Sequence, residues 1–135
     1  MADGLRVLVV DDCPDTAEVQ ALFLRLLGHD VRLAQDGVEA LIQARTFCPD
    51  VVLLDLMMPN QDGLEVARAI RRHPALRNVV LIALTGCTQE RERRQARAAG
   101  FNHYLVKPAE PEVLQRLLES CRTRAPSGPE AVLNA

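Results

Sequence analysis

Apolar residues along the chain follow two different periods. Four apolar runs, at residues 5–10, 51–54, 79–84 and 104–106, are typical of strands that are buried on both faces. In a shorter segment at 31–34, apolar Val31 and Leu33 alternate with other residues, which predicts a further strand. The chain is therefore expected to contain five strands.

The segments between these strands carry apolar residues at helical spacing. Five helices are predicted, and the residues that begin or cap them are Pro14, Asp36, Gly63, Thr88 and Pro111. The apolar residues that indicate the first two helices are Val19, Leu22, Phe23 and Leu26, followed by Val38, Leu41 and Ile42. The fourth helix, at 88–99, is almost wholly polar, with Ala96 and Ala99 as its main inward candidates.

Strands and helices thus alternate five times, and this order defines the fold class. It predicts an α/β fold with a single doubly wound, five-stranded parallel sheet, right-handed crossovers and five helices on the two faces. Pro59 is expected to stop the strand that ends at Asp55. One domain is predicted over residues 1–122, and residues 123–135, rich in Pro, Gly and Ala, are expected to form a disordered tail.

Polar side chains stand at the ends of four of the predicted strands. Asp11 and Asp12 follow the first strand, Asp55 and Thr85 end two later ones, and Lys107 follows the last. Because the carboxyl ends of parallel strands meet at one edge of a sheet, these side chains are expected to converge there. Taken singly, each also has a structural explanation, such as a helix cap for Asp12 or a turn for Thr85.

The chemistry of this group points to phosphoryl transfer. Three carboxylates repel one another and favour a hard divalent cation, and Mg²⁺ or Mn²⁺ suits oxygen ligands with open positions. A lysine and a hydroxyl beside them supply the donors that a tetrahedral dianion needs. Asp55, a carboxylate that meets the metal, Lys107 and Thr85, is therefore a candidate phosphoryl acceptor.

Composition excludes several other classes of function. The net charge of −2, the absence of Trp and the scarcity of aromatic residues argue against nucleic-acid binding. No apolar run approaches the roughly 18 residues of a membrane span, and the N-terminus lacks the apolar core of a signal peptide. The four cysteines are far apart, which argues against zinc or a disulfide framework and favours free thiols in the cytoplasm.

Four sequence motifs resemble those of one known family. VVDD at 9–12, LLDLMMPNQDG at 53–63, LTG at 84–86 and GFNHYLVKP at 100–108 are similar to the receiver domain of bacterial response regulators. The resemblance covers about residues 5–122 in the family's order and spacing. It implies a flavodoxin-like sheet with strand order 2-1-3-4-5.

The resemblance also implies a role for each motif residue. Asp55 becomes the phosphoacceptor, Thr85 and Lys107 hold the phosphoryl oxygens, and Thr85 with Tyr104 forms the conformational switch. The implied metal ligands are the carboxylates of Asp11, Asp12 and Asp55 and the backbone carbonyl of Met57.

Function and partners follow from these roles as expectations. A histidine kinase or a histidine phosphotransfer protein donates the phosphoryl group, and the face of the fourth helix, fifth strand and fifth helix changes shape. The output is a downstream protein target or a covalently linked kinase, without direct nucleic-acid contact or membrane insertion. The chain is expected to be a monomer or weak dimer, and not a turnover enzyme on a separate substrate.

Three alternatives compete with this interpretation. A phosphatase of the haloacid dehalogenase type needs a second acid two residues after the nucleophile, where this chain has Met57. A flavodoxin binds phosphate at the loop after its first strand, but here the acidic sequence DDCPDT would repel it. A receiver-like interaction module without phosphorylation would be expected to lose Asp55 or Lys107, and both are present.

Overall fold

The computed structural model describes residues 4–58 and 63–124, which form one parallel sheet between two layers of helices. The strands β1 to β5 are Arg6–Val10, Asp30–Ala34, Val51–Asp55, Val80–Thr85 and His103–Val106. The helices α1 to α5 are Pro14–Leu26, Gly37–Phe47, Gly63–Arg72, Glu90–Ala99 and Pro111–Arg124, and a short 3-10 helix spans Pro74–Leu76. All strand pairs are parallel and the order is β2-β1-β3-β4-β5, which confirms the predicted fold class.

Two helix ends differ from the sequence prediction. Helix α4 begins at Glu90, two residues later than predicted, because Gln89 has an extended backbone. Helix α5 continues to Arg124, two residues beyond the predicted domain boundary. The predicted stop at Pro59 and the part of the predicted tail at 125–135 lie outside the described residues. Among residues 4–58 and 63–124, no helix is both long and apolar enough to cross a membrane.

The continuous apolar runs arise because the central strands are covered on both faces. Side chains point alternately to opposite faces of a strand. In β1, Leu8 and Val10 therefore belong to one core, which is built with α2, α3 and α4. Val7 and Val9 belong to the other core, built with α1 and α5. The sheet is thus held rigidly between two apolar layers, and its carboxyl edge is a fixed platform.

The inward face of α1 differs from the one that its large apolar residues indicate. The side chains that α1 buries against the sheet are Ala17, Ala21 and Leu24. The large residues Val19, Leu22 and Leu26 are 69%, 59% and 78% exposed. Helix α2 repeats this arrangement, since it buries Gly37, Ala40, Ala44 and Phe47 while Val38 and Ile42 are exposed. Small residues let a helix approach the sheet closely, so the alanine stripe is selected and the larger apolar stripe is left at the surface.

One arginine joins the carboxyl ends of α3 and α4. The guanidinium of Arg71 donates five hydrogen bonds to neutral acceptors, which are the backbone carbonyls of Arg77, Val79 and Gly100 and the side chain of Asn102. All five guanidinium donors are thereby satisfied. Burial lowers the pKa of Arg71, so this bonding compensates for a charge that is partly removed from water. The carboxyl end of α4 is therefore anchored.

Gly100 is expected to be needed for this anchor. Its φ of +114° lies in the left-handed region, and a Cβ there would meet the Arg71 Cγ at 2.8 Å. Gly100→Ala should therefore lower the free energy of unfolding by about 1–2 kcal/mol, the usual cost of that conformation for an L-residue. Urea denaturation measures the change. Gly86→Ala is the control, because a Cβ at Gly86 meets nothing within 4 Å. Equal losses in both variants would contradict the expectation.

Candidate functional site

The carboxyl ends of four strands bring the predicted side chains to one edge of the sheet. Asp11 and Asp12 directly follow β1, Asp55 and Thr85 are the last residues of β3 and β4, and Lys107 directly follows β5. The strand register aligns these ends, and the Lys107 backbone N–H donates to the Thr85 carbonyl at 2.7 Å. The convergence that was expected from the sequence is therefore present in the structure.

Asp55 is almost completely buried, with only 3% of its surface exposed. Its Oδ1 accepts a hydrogen bond from the Met57 backbone N–H at 2.8 Å. Its Oδ2 lies 2.9 Å from the Lys107 Nζ, whose side chain is 33% exposed. The carboxylate is thus fixed at both oxygens, and one of its partners is a cation that can follow a new negative charge.

Asp11 and Asp12 place two further carboxylates beside Asp55. One oxygen of each of the three acids lies within 4.8 Å of the others. Asp11 is buried and Asp12 is exposed, so the group has an inner and a solvent-facing side. Three hard oxygen donors at this separation, open to water, match what Mg²⁺ or Mn²⁺ binds in proteins. The donor set therefore fits the predicted cation.

Burial, and after it the neighbouring acids, shift the pKa of Asp11. Burial raises the pKa of Asp11 above its ordinary value of 3.8, and the charges of Asp55 and Asp12 add to the increase. The Cys13 backbone N–H, which donates to the Asp11 Oδ1 at 3.0 Å, and the Lys107 charge lower it. On balance the pKa of Asp11 is raised, so its ionised form is less favoured than that of an exposed aspartate.

Thr85 connects the pocket to Tyr104. The Thr85 Oγ1, which is buried, accepts a hydrogen bond from the Cys87 backbone N–H at 3.2 Å. The Cys87 carbonyl accepts one from the Tyr104 hydroxyl at 2.9 Å. Burial raises the pKa of Tyr104, and the nearby Cys87 raises it further. The two residues that were predicted as a switch thus share one hydrogen-bonded network.

The position of Met57 bears on its predicted role as a carbonyl ligand. Met57 lies in the turn after β3, and its side chain is 59% exposed. The contact that the structure gives is the backbone N–H bond to Asp55. The role of its carbonyl stays a prediction.

Comparison with known proteins agrees with this geometry. The family model described as response regulator receiver domain matches residues 7–119. The response regulator MprA of Mycobacterium sp. (strain KMS) is 40% identical over 129 residues, which are 94% of this chain and 55% of that protein.

The chain belongs to the response regulator receiver domain family.

Two solved structures are similar to this receiver domain. The chemotaxis protein CheY4 of Vibrio cholerae has a TM-score of 0.83 and 31% identity over 87% of this chain and 98% of that one. The receiver domain of the sensor histidine kinase PA1611 of Pseudomonas aeruginosa has a TM-score of 0.80 and 36% identity, over 89% and 98%. A magnesium ion is coordinated in the active-site cleft of the PA1611 domain. The present chain spans about half the length of a full-length regulator such as MprA.

A groove beside the pocket of this receiver domain was not anticipated from the sequence. It lies between α1 and the segment that follows β5, and its volume is about 730 Å³. Its apolar walls include Val19, Phe23 and Leu114, and it reaches Asp11 and Lys107 at the pocket. The available signal was the excess of apolar residues in α1, which carries more of them than one buried stripe requires.

Because Asp11 is a buried acid beside two other carboxylates, Asp11→Asn is expected to stabilise the metal-free protein. A raised folded-state pKa means that the folded protein holds its proton to higher pH than the unfolded chain, so stability falls as pH rises through that window. Without metal at pH 7, Asp11→Asn should therefore unfold at a higher temperature than the wild type, by a few degrees. Its amide oxygen can still accept the Cys13 N–H. Mg²⁺ should raise the melting temperature of the wild type and not that of the variant.

Scanning calorimetry at pH 4 and pH 7, with and without Mg²⁺, measures both effects. The gain of Asp11→Asn should shrink at pH 4, because Asp11 is then more protonated in both states. Asp30→Asn, which alters an exposed acid on β2, is the control. A lower melting temperature of metal-free Asp11→Asn at pH 7 would count against the crowding argument.

Proposed function

We propose that this receiver domain accepts a phosphoryl group from a phosphohistidine onto Asp55 and passes the signal on through the α4-β5-α5 face. The donor is a histidine kinase or a histidine phosphotransfer protein of a two-component system. The observation that carries the proposal is the setting of Asp55, a buried carboxylate between Lys107 and two further acids. Neither a structural salt bridge nor a helix cap requires the two additional acids.

The transfer is an in-line displacement at phosphorus. A carboxylate oxygen of Asp55 forms the new O–P bond while the P–N bond to the donor's histidine breaks, and the electron pair of that bond remains on the imidazole nitrogen. The ammonium of Lys107, 2.9 Å from Asp55, follows the charge onto the phosphoryl oxygens. The Met57 N–H holds the other carboxylate oxygen in place, so the nucleophile is oriented before the donor arrives.

The cation of this proposal is Mg²⁺ or Mn²⁺. The residues that would hold it are Asp11, Asp12 and Asp55, together with the backbone carbonyl of Met57. When bound, it supplies positive charge that offsets the negative charge on the transferring group. Phosphorylation of Asp55 is therefore expected to depend on a divalent cation.

The switch starts from the new charge on Asp55. An aspartyl phosphate adds about two negative charges and new hydrogen-bond acceptors. The Thr85 hydroxyl turns toward it as a donor, the loop after β4 shifts with Thr85, and Tyr104 turns inward, where its hydroxyl meets the Cys87 carbonyl of that loop. Because Tyr104 packs between the core and α4, a change in its position alters the α4-β5-α5 face.

The groove along α1 is the expected docking site for the donor. Val19, Leu22 and Leu26 present an apolar stripe to solvent, and the groove beside Val19 opens onto the pocket. Exposed apolar patches of this kind mark interaction sites. A donor helix that covers this stripe brings its phosphohistidine to the end of β3, where Asp55 lies.

The wider role follows from the same chemistry. The protein acts as a phosphoacceptor in signalling and not as an enzyme that turns over a separate substrate. It acts in the cytoplasm, as a monomer or weak dimer, on a downstream protein or a linked kinase. The family match supports neither the phosphatase nor the unphosphorylated module as an alternative.

Asp55 is predicted to be the only phosphorylated residue. After incubation with acetyl phosphate and Mg²⁺, borohydride trapping and mass spectrometry should place the label on Asp55, and Asp55→Asn should take up none. Asp15→Asn, which alters an exposed acid beside the pocket, should be labelled like the wild type. Label that persists in Asp55→Asn, or that appears on a histidine, would refute the assignment.

The docking proposal predicts different effects of two matched valine substitutions. Val19 and Val38 are 69% and 68% exposed, but only Val19 lines the groove. Val19→Asn should slow phosphotransfer from the kinase that is most active on the wild type by about tenfold, since burying a valine contributes about 1.5 kcal/mol. Val38→Asn should leave the rate of phosphotransfer from that kinase unchanged, because Val38 lies outside the groove. With acetyl phosphate, which needs no docking surface, both variants should react at the wild-type rate. Equal transfer rates from the kinase to both variants would exclude the α1 groove.

A further inference from the structure

Three contacts hold Tyr104 in place, and one of them comes from Arg93, a residue outside the phosphoryl-transfer pocket. Its hydroxyl donates to the Cys87 carbonyl at 2.9 Å, and its ring packs against the core on the α2, α3 and α4 side. The third contact is the guanidinium of Arg93, which lies over the ring with Cζ 4.9 Å from its centroid. The outer face of the ring is thereby covered by a side chain of α4.

Arg93 is well placed to hold the ring. It lies in the first turn and a half of α4, where its backbone N–H donates to the Gln89 carbonyl at 3.2 Å. Among the described residues, the ion pairs within 4.0 Å are Arg68–Glu65 and Lys107–Asp55, so no carboxylate draws Arg93 away from Tyr104. A guanidinium within about 6 Å of a ring centroid is attracted by the negative face of the ring.

The position of the ring matters to the pocket because of the loop that it bonds. The Cys87 carbonyl accepts from Tyr104, and the N–H of the same residue donates to the Thr85 Oγ1. A ring that leaves this position gives up its bond to Cys87 and frees the loop that holds the Thr85 hydroxyl. Whatever keeps the ring in place therefore also biases the arrangement of Thr85.

We propose that Arg93 is a positioning residue, which holds Tyr104 on the loop after β4 and so favours the arrangement of Thr85 that meets the phosphoryl group. The effect on Thr85 rests on the proposed function, whereas the effect on the ring does not. By linkage, an interaction that favours one state of the loop raises the affinity of any ligand that prefers the same state. An exposed cation–π contact changes such an equilibrium by roughly two- to fivefold.

The composition of the chain makes the effect on the ring directly measurable. Tyr104 is the only tyrosine, and the chain contains no tryptophan. Intrinsic fluorescence therefore reports on this ring with little interference from other residues. The variants are Arg93→Gln, which removes the cation, and Arg93→Lys, which restores one. Arg94→Gln makes the same charge change at the neighbouring exposed position on α4 and is the matched control.

Acrylamide quenching of tyrosine fluorescence is the first measurement, made without metal or phosphate on variants with equal melting temperatures. The quenching constant should rise by roughly twofold or more in Arg93→Gln, stay at the wild-type value in Arg94→Gln and be partly restored in Arg93→Lys. Equal quenching in Arg93→Gln and Arg94→Gln would overturn the proposal, because the ring would then be held without Arg93.

Beryllofluoride binding in the presence of Mg²⁺ is the second measurement and tests the effect on the pocket. Its affinity should fall roughly two- to fivefold in Arg93→Gln relative to Arg94→Gln. Equal affinities beside a changed quenching constant would overturn the coupling of the ring to Thr85. Failure of the wild type to bind beryllofluoride would instead count against the proposed function, and the quenching comparison would still decide the effect on the ring.

Discussion

Asp55 is a carboxylate at the end of the central strand, surrounded by apolar layers on both faces of the sheet. A buried carboxylate is costly unless it is paired and hydrogen-bonded. Here Lys107 and the Met57 N–H provide that compensation, one for each oxygen. Asp11 and Asp12 then add two more acids without adding another cation. This excess of negative charge is the constraint on which the arrangement of the pocket depends, and it is the charge that the proposed divalent cation would offset.

The rigidity of the sheet allows a small change at this edge to have a remote effect. The central strands are covered on both faces, so they cannot relieve a new charge on Asp55 by moving. The loop after β4 is less constrained, since Thr85 and Tyr104 hold it through single hydrogen bonds to Cys87. A disturbance at the pocket is therefore expected to be transmitted through this loop toward α4.

Helix α4 is held differently at its two ends. Three hydrogen bonds from Arg71 anchor α3 to the region where α4 ends, two to the carbonyl of Gly100 and one to the side chain of Asn102. Near its amino end the guanidinium of Arg93 stacks on the ring of Tyr104. Along its length α4 buries only Ala96 and Ala99, both in its second half. The amino end can thus respond to the loop after β4 while the carboxyl end stays in place.

Sequence alone was sufficient to predict the fold class. The spacing of its apolar residues located the strands, and the polar residues at the strand ends indicated the pocket. A strand that is buried on both faces must be apolar throughout, and parallel strands must end at the same edge, so the convergence of Asp11, Asp55 and Lys107 could be predicted from local patterns. The side of α1 that faces the sheet could not be predicted from local patterns. Ala17 and Ala21 share helical spacing with each other, and so do Val19 and Leu22. Only the close approach of the helix to the sheet favours the smaller pair. The stacking of Arg93 on Tyr104 likewise joins two elements whose separation is set by the packing of the whole domain, and no local pattern records it.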